Sequence, residues 1–272
     1  MTGHTKASPP QILLQLIVDG VVVLKTDTSW QAAAGPITYN SLYNGELYDG
    51  RIAAGLAGWS TPAFQTTAAA IDGNHGAGGV GGAWWPTTNA SSEVNKAKLA
   101  SQLFPPIRHV QALAPRSSTS PKPNVQVFDF NQNTAGVIRL RLSPGQCAEG
   151  TNVTVRYAEV LSHPPYGPDD GTLYTLNLRG AKQTDVYTCA GGGVAEEYTP
   201  TFTQHGYRYA EVSGLGYPLS EAQVHTMELH SDVQQHSTVA FSHPLLNAIQ
   251  HAVVWSQKSN LMSVPTDCPQ VR

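Results

Sequence analysis

Alternation of apolar and polar positions dominates this chain, with one exception near its C-terminal end. In GVIRLRL (136–142), Ile138, Leu140 and Leu142 share one parity while Arg139 and Arg141 take the other. That period of two marks a strand with one dry face. Runs of the same kind recur in VQVFDF (125–130), NVTVRYAEVL (152–161), TLYTLNL (172–178), TDVYTC (184–189), EEYTPTFT (196–203), YRYAEVSG (207–214) and QVHTMELHS (223–231). Turn signals such as Asp170-Gly171 and Gly191-Gly192-Gly193 separate them, and this spacing predicts a β-sandwich rather than βαβ units. Upstream, QILLQLIVDGVVVLKT (11–26) sets two β-rich runs around Asp19-Gly20, the favoured pair for a type I′ hairpin turn. Residues 27–64 alternate short apolar pieces with Gly, Pro, Asn and Asp. Residues 71–92 read as a glycine-rich loop or disordered insert, and EVNKAKLASQL (93–103) predicts a short helix.

The exception is SHPLLNAIQHAVVWSQK (242–258). Leu245, Leu246, Ile249, Ala252, Val253 and Ser256 recur at helical spacing, and Ser242 with Pro244 supplies a cap and first turn. Val254 and Trp255 fall off that stripe, and Leu261, Met262 and Val264 follow at once. A helix this apolar is expected to pack on more than one side.

Length and composition narrow the function classes. A chain of 272 residues accommodates one large or two ordinary domains. Charged residues make up 13%, against about 25% in average proteins, and 40% are hydrophobic, the profile of a folded chain with a weakly charged surface. The net charge of −3, with Lys and Arg scattered singly, offers no basic patch for nucleic acid. No apolar run reaches the roughly 18 residues of a membrane span, and MTGHTKASPP lacks the apolar middle of a secretory signal. Cys147, Cys189 and Cys268 are widely spaced and read as three buried reduced thiols, with one pair plus a free thiol as the alternative. Asn89-Ala-Ser91 and Asn152-Val-Thr154 spell glycosylation sequons, triplets that chance also produces, so the compartment stays open.

Candidate chemistry is sparse. Gly76-x-Gly78-x-x-Gly81 spells a dinucleotide fingerprint, but no strand precedes it and Trp84-Trp85-Pro86 follows where a helix should open. It reads as a loop, and no cofactor is expected. His225, His230, His236, His243 and His251 crowd the C-terminal third. His225 and His230 would point to opposite faces of a strand, and His243 and His251 stand eight apart on the helix, so no metal site is expected. No Gly-x-Ser-x-Gly elbow occurs. Trp30, Trp59, Trp84, Trp85 and Trp255 read as packing residues rather than sugar-stacking platforms. Paired carboxylates for glycoside hydrolysis carry no spacing signature.

An ordered set of strings adds what periodicity does not. DTSW (27–30), SLYNGELYDGR (41–51), GW (58–59), FPPIR (104–108), VFDFNQNTAG (127–136), VTVRYAEVL (153–161), DGTLYTLNLRGAKQTDVY (170–187), HGYRYAEVSG (205–214) and SNLMSVPTDCPQ (259–270) together resemble the bacterial-type α-L-rhamnosidases, glycoside hydrolase family 78. The strings keep the family order and cover nearly the whole chain from about residue 11.

The resemblance implies accessory β-sandwiches ahead of an (α/α)₆ barrel that carries the active site. The expected fold is mainly β: two consecutive antiparallel sandwich regions, then one C-terminal helix of that barrel. Residues 1–104 would be the later part of the N-terminal sandwich domain, 105–235 the concanavalin-like sandwich, and 236–272 the start of an incomplete six-hairpin domain. The family removes terminal α-L-rhamnose from glycosides with inversion, so rhamnose-containing glycosides are the implied partners of the intact enzyme. Its general acid follows shortly after the TDCPQ stretch; here Val271 stands where the family has arginine, and neither acid nor base is present. No catalytic residue is therefore assigned. Asp267 alone matches a family site position, a carboxylate that hydrogen-bonds rhamnose hydroxyls; in this chain by itself it reads as a solvated terminal aspartate. The chain by itself is expected to be inactive, the alternative being a retained carbohydrate-binding or structural module.

Overall fold

The computed structural model describes residues 11–64, 84–89 and 101–269. The glycine motif at 76–81 and most of the helix expected at 93–103 lie outside these residues. The protein is mainly β with one long helix. In chain order, strands β1 (Gln15–Val18), β2 (Val21–Lys25), β3 (Gln31–Ala33), β4 (Ile37–Ser41) and β5 (Gly45–Asp49) lead into a short helix α1 (Gly50–Gly55). β6 (Trp84–Pro86), β7 (Ile107–Leu113), β8 (Ser117–Lys122) and β9 (Val125–Leu142) follow. Then come β10 (Asn152–Ala158), β11 (Thr184–Thr188), β12 (Glu196–Tyr198), β13 (His205–Ser213) and β14 (Val224–Ser231). Helix α2 (Pro244–Ser259) and a miniature hairpin, β15 (Leu261–Met262) with β16 (Val264–Pro265), complete the described chain.

Two compact units form. The first takes Met1–Ala34 and Gly58–Ser101, the second Gly35–Ala57 and Gln102–Arg272. In the first, β1 and β2 make the expected hairpin, and Asp19 (φ 50°) and Gly20 (φ 79°) take the two left-handed positions of a type I′ turn. A second ladder joins β3 to β6, pairing Ala33 with Trp84.

The second unit is built on a ten-stranded sheet with the path β4-β5-β11-β10-β13-β9-β14-β7, while β8 and β12 also pair with β9. Eighteen-residue β9 organises it. Its first half lies between β8 and β13 and its second half between β12 and β14, so one strand serves both sides of a curled sheet. The core fills with Phe128, Ile138, Leu140, Val153, Tyr157, Tyr207 and their neighbours, all nearly inaccessible. Ladders are antiparallel except β11 with β5, which run parallel through Val186↔Leu47, Tyr187↔Tyr48 and Thr188↔Asp49. Gly45 permits this approach: its φ is 101°, and a Cβ there would meet the Thr184 carbonyl oxygen at 2.1 Å.

Three expectations change. VQVFDF and GVIRLRL are one strand, because NQNTAG between them forms a bulge rather than a turn. Asn131 sits at φ 57° with its N–H donating to Asp129 Oδ1 at 2.6 Å, and the register with β13 shifts there. TLYTLNL is not a strand: it makes one bridge, Leu161↔Leu173, and then a 3₁₀ turn over Leu176–Leu178. Cys147 and Cys189 are not reduced thiols. The turn after β9 and the end of β11 bring their Cα atoms to 6.0 Å and they form a disulfide, leaving Cys268 as the free cysteine.

Helix α2 starts one residue later than its sequence signal. His243 is the N-cap, its Nδ1 accepting from the Leu245 N–H, with Pro244 in the first turn. Its packing face is the reverse of the obvious stripe. Val254 and Trp255 are half-buried and the helix lies against β9 and β14, while Leu245 (60% exposed), Ile249 (50%) and Val253 (54%) face solvent.

Candidate functional site

The densest polar chemistry lies inside the large sheet. Asp185 on β11 is fully buried. Its Oδ1 accepts the Glu46 backbone N–H at 2.8 Å, and its Oδ2 accepts the Tyr157 hydroxyl at 2.5 Å. His205 Nε2 stands 3.2 and 3.1 Å from the two oxygens and donates in the Nε2–H tautomer. Glu46 is equally buried; its Oε2 accepts from the N–H groups of Thr201 (3.1 Å) and Phe202 (3.4 Å), its Oε1 from the Tyr198 hydroxyl (3.3 Å). Burial pushes the Glu46 carboxyl above its ordinary value, and the two N–H donors pull partway back. Burial likewise holds the Tyr157 phenol well above its usual range. Tyr, Asp and His in contact resemble catalytic machinery, but both oxygens of this buried carboxylate are taken by protein donors. The arrangement is a clamp that fastens β5 to β11. Sequence spacing carried no sign of it, since 139 residues separate Glu46 from Asp185.

A second buried pair, Glu228 and His230 on β14, stands 3.7 Å apart, with Gln111 of β7 donating to Glu228. A cleft of about 160 Å³ opens between Asn124, Gln126 and the 215–219 loop. Two of its polar side chains are engaged with the protein: Gln126 exchanges hydrogen bonds with the Leu219 backbone, and Tyr217 donates to the Gln146 carbonyl. Among the described residues no three or more His, Cys, Asp or Glu side chains converge as a metal site would require. No helix among them is long and apolar enough to cross a membrane.

Asp267 sits just beyond the β15–β16 hairpin, exposed, with Oδ2 accepting from the Cys268 thiol at 3.4 Å. That hydrogen bond raises the thiol above its ordinary value. The hairpin carrying it is tied at several points. Met262 is buried against Ala135, Val137 and Leu229, on the sheet face opposite the main core. Ser263, the single corner residue, has φ 70°, a conformation that costs a non-glycine residue about 1–3 kcal/mol unless its surroundings enforce it. Its N–H donates to Ser231 Oγ of β14 at 2.7 Å. The Thr266 N–H returns to the Asn260 carbonyl at 2.7 Å, closing the loop on the end of α2.

The other flagged residues have surroundings of their own. Trp30 donates to the Lys25 carbonyl at 3.1 Å, Trp84 lies 5.8 Å from the Phe64 ring, and Trp59 is exposed. Trp255 donates to His251 one helical turn away, and Lys258 lies over its ring. His225 is half-buried and His230 buried, and neither meets a second histidine.

Comparison with known proteins gives this geometry a context. Residues 2–111 match the alpha-L-rhamnosidase N-terminal domain. Residues 119–230 match the bacterial alpha-L-rhamnosidase concanavalin-like domain, and 234–272 the 6 hairpin glycosidase domain of the same enzymes. An α-L-rhamnosidase from Streptomyces avermitilis is 36% identical over 98% of this chain and 24% of its own length. The crystal structure of a Streptomyces avermitilis α-L-rhamnosidase complexed with L-rhamnose superimposes with a TM-score of 0.77 at 36% identity, over 92% of this chain and 22% of that one. The α-L-rhamnosidase of Dictyoglumus thermophilum gives 0.79 at 35% identity, over 93% and 26%. The chain thus spans about a quarter of the length of the relatives it matches. Matched in sequence by three consecutive domains of one enzyme type and in structure by its solved members, the chain belongs to the bacterial α-L-rhamnosidase family.

Proposed function

We propose that this chain is the accessory-sandwich portion of an α-L-rhamnosidase that hydrolyses terminal α-L-rhamnose from glycosides with inversion, and that alone it turns over no rhamnoside. The observation that carries this reading is the run of three domain matches in family order on a chain a quarter the length of its relatives. On this reading 1–104, 105–235 and 236–272 fall in the N-terminal, concanavalin-like and six-hairpin domains, with β4 and β5 lodged in the second sheet. Asp267 hydrogen-bonds rhamnose hydroxyls in the intact enzyme.

Inverting hydrolysis needs an acid and a base about 6.5–9.5 Å apart with room for sugar and water between them. Three of the buried carboxylates leave no such room. Glu46 and Asp185 are filled by protein donors, and Glu196 accepts from the Tyr187 hydroxyl and from the N–H groups of Ala190 and Gly191. The test is the purified chain with an aryl α-L-rhamnoside, beside an Asp267→Asn control. No turnover is expected in either. Activity that survives purification and disappears in the control would overturn the proposal.

A further inference from the structure

The segment that bears Asp267 is matched by the six-hairpin domain, yet its anchors lie on the concanavalin-like sheet. Two contacts show this. Met262 fills a pocket whose walls, Ala135, Val137 and Leu229, all belong to β9 and β14. The Ser263 N–H finds its acceptor in the hydroxyl of Ser231, the last residue of β14, itself 1% exposed. The strained corner at Ser263 is what lets that N–H reach Ser231 while Met262 turns into the sheet. From the other side, Asn260 at the end of α2 takes the Thr266 N–H on its carbonyl and the Thr266 hydroxyl on its side chain at 3.3 Å. Asp267 therefore leaves the chain from a point fixed within one residue.

We propose that Ser231 and the Met262 pocket are positioning elements for the sugar-binding carboxylate: the concanavalin-like sheet sets where Asp267 stands. This rests on the reading of Asp267 as a rhamnose ligand. A side chain that orients a sugar hydroxyl needs placement to a fraction of an ångström, and a rigid sheet supplies that better than a short loop alone. The accessory sheet thereby acquires a part in the reaction without touching substrate.

Cys268 makes the seating measurable, because it is the free thiol adjacent to Asp267. In the 272-residue chain, this half-buried thiol reacts with an aromatic disulfide reagent at a rate that rises as the segment leaves its seat and exposes it further. Ser231→Ala removes one hydrogen bond and is expected to raise that rate about fivefold. Met262→Ala should raise it further. Leu246→Ala, on the exposed face of α2, should leave it unchanged. Circular dichroism checks that each variant stays folded. An unchanged rate in both Ser231→Ala and Met262→Ala overturns the proposal. The consequence for sugar is read on the chain extended by the complete six-hairpin domain of the Streptomyces avermitilis relative. There Ser231→Ala should raise KM for an aryl α-L-rhamnoside three- to tenfold with kcat held within twofold. A faster thiol with an unmoved KM overturns the positioning role. If Asp267→Asn also leaves KM unmoved, it is the ligand reading of Asp267 that falls, while the seating stands.

Discussion

The backbone N–H of Glu46 donates to the Asp185 carboxylate at 2.8 Å, joining two parallel strands whose bonded residues stand 139 positions apart in sequence. Three donors depend on that one side chain: the Glu46 N–H, the Tyr157 hydroxyl and His205. Asp185→Ala leaves all three unpaired in the core and should cost about 3–5 kcal/mol of unfolding free energy. Urea denaturation followed by tyrosine fluorescence checks this. A loss below about 1 kcal/mol would show that the clamp does not hold β5 in place.

The Cys147–Cys189 bond closes a loop with a sequence separation of 42 residues at the edge of the main core. Replacing both cysteines by alanine should lower stability by about 2–4 kcal/mol. Thiol titration in denaturant should find one reactive group before reduction and three after it. Three groups before reduction would refute the pairing.

Arg208 meets Asp129 with two hydrogen bonds of 2.8 Å, and the guanidinium holds this carboxyl below its ordinary value of 3.8. A depressed carboxyl adds stability that is present above the unfolded value and is lost as pH falls through the folded one. Asp129→Asn should therefore cost about 1 kcal/mol at neutral pH, a modest figure because solvent reaches and screens the pair. The gap between variant and parent should close below pH 3.8 and narrow in high salt. A gap independent of pH would assign the effect to packing instead.

The solvent-facing stripe of α2 puts Leu245, Leu246, Ile249 and Val253 in water. Leu246→Glu with Ile249→Glu should reduce self-association of the chain, seen as a more monodisperse boundary in sedimentation velocity. Deleting residues 243–272 removes the same stripe but also pulls Met262 from its pocket and bares Ala135, Val137 and Leu229. The double substitution should therefore give the better-behaved protein. Equal association in substituted and parent chains would show that the stripe is not the sticky surface.

Local patterning carried much of the fold. Asp19-Gly20 announced its hairpin because a type I′ turn needs two left-handed residues, and the parity of Ile138, Leu140 and Leu142 announced a buried face. Failures came where pairing partners decide. Asn131-Gln132-Asn133 spells a turn, but with β13 alongside, the same residues form a bulge and the strand continues. Leu173 to Leu178 alternates like a strand yet finds only one bridge, so it closes on itself as a 3₁₀ turn. The helix stripe was legible but not its direction, since Val254 and Trp255 face the sheet. Asp267 is a candidate by resemblance alone. The contacts of Ser231 and Met262 with its segment were not legible, because a single serine ending a strand and a single methionine after a helix carry no periodic signal.

The lodging of β4 and β5 in the larger sheet bears on how such chains recombine. The polypeptide enters the second unit at Gly35, leaves it after Ala57, and re-enters at Gln102. A crossover between residues 104 and 105 would carry Glu46 into one descendant and Asp185 into the other, stranding each half of a buried network. Each mismatched product would have to repair that interior before anything at its surface was tested. Recombination that keeps this interior whole must carry residues 35–57 together with the rest of the second unit.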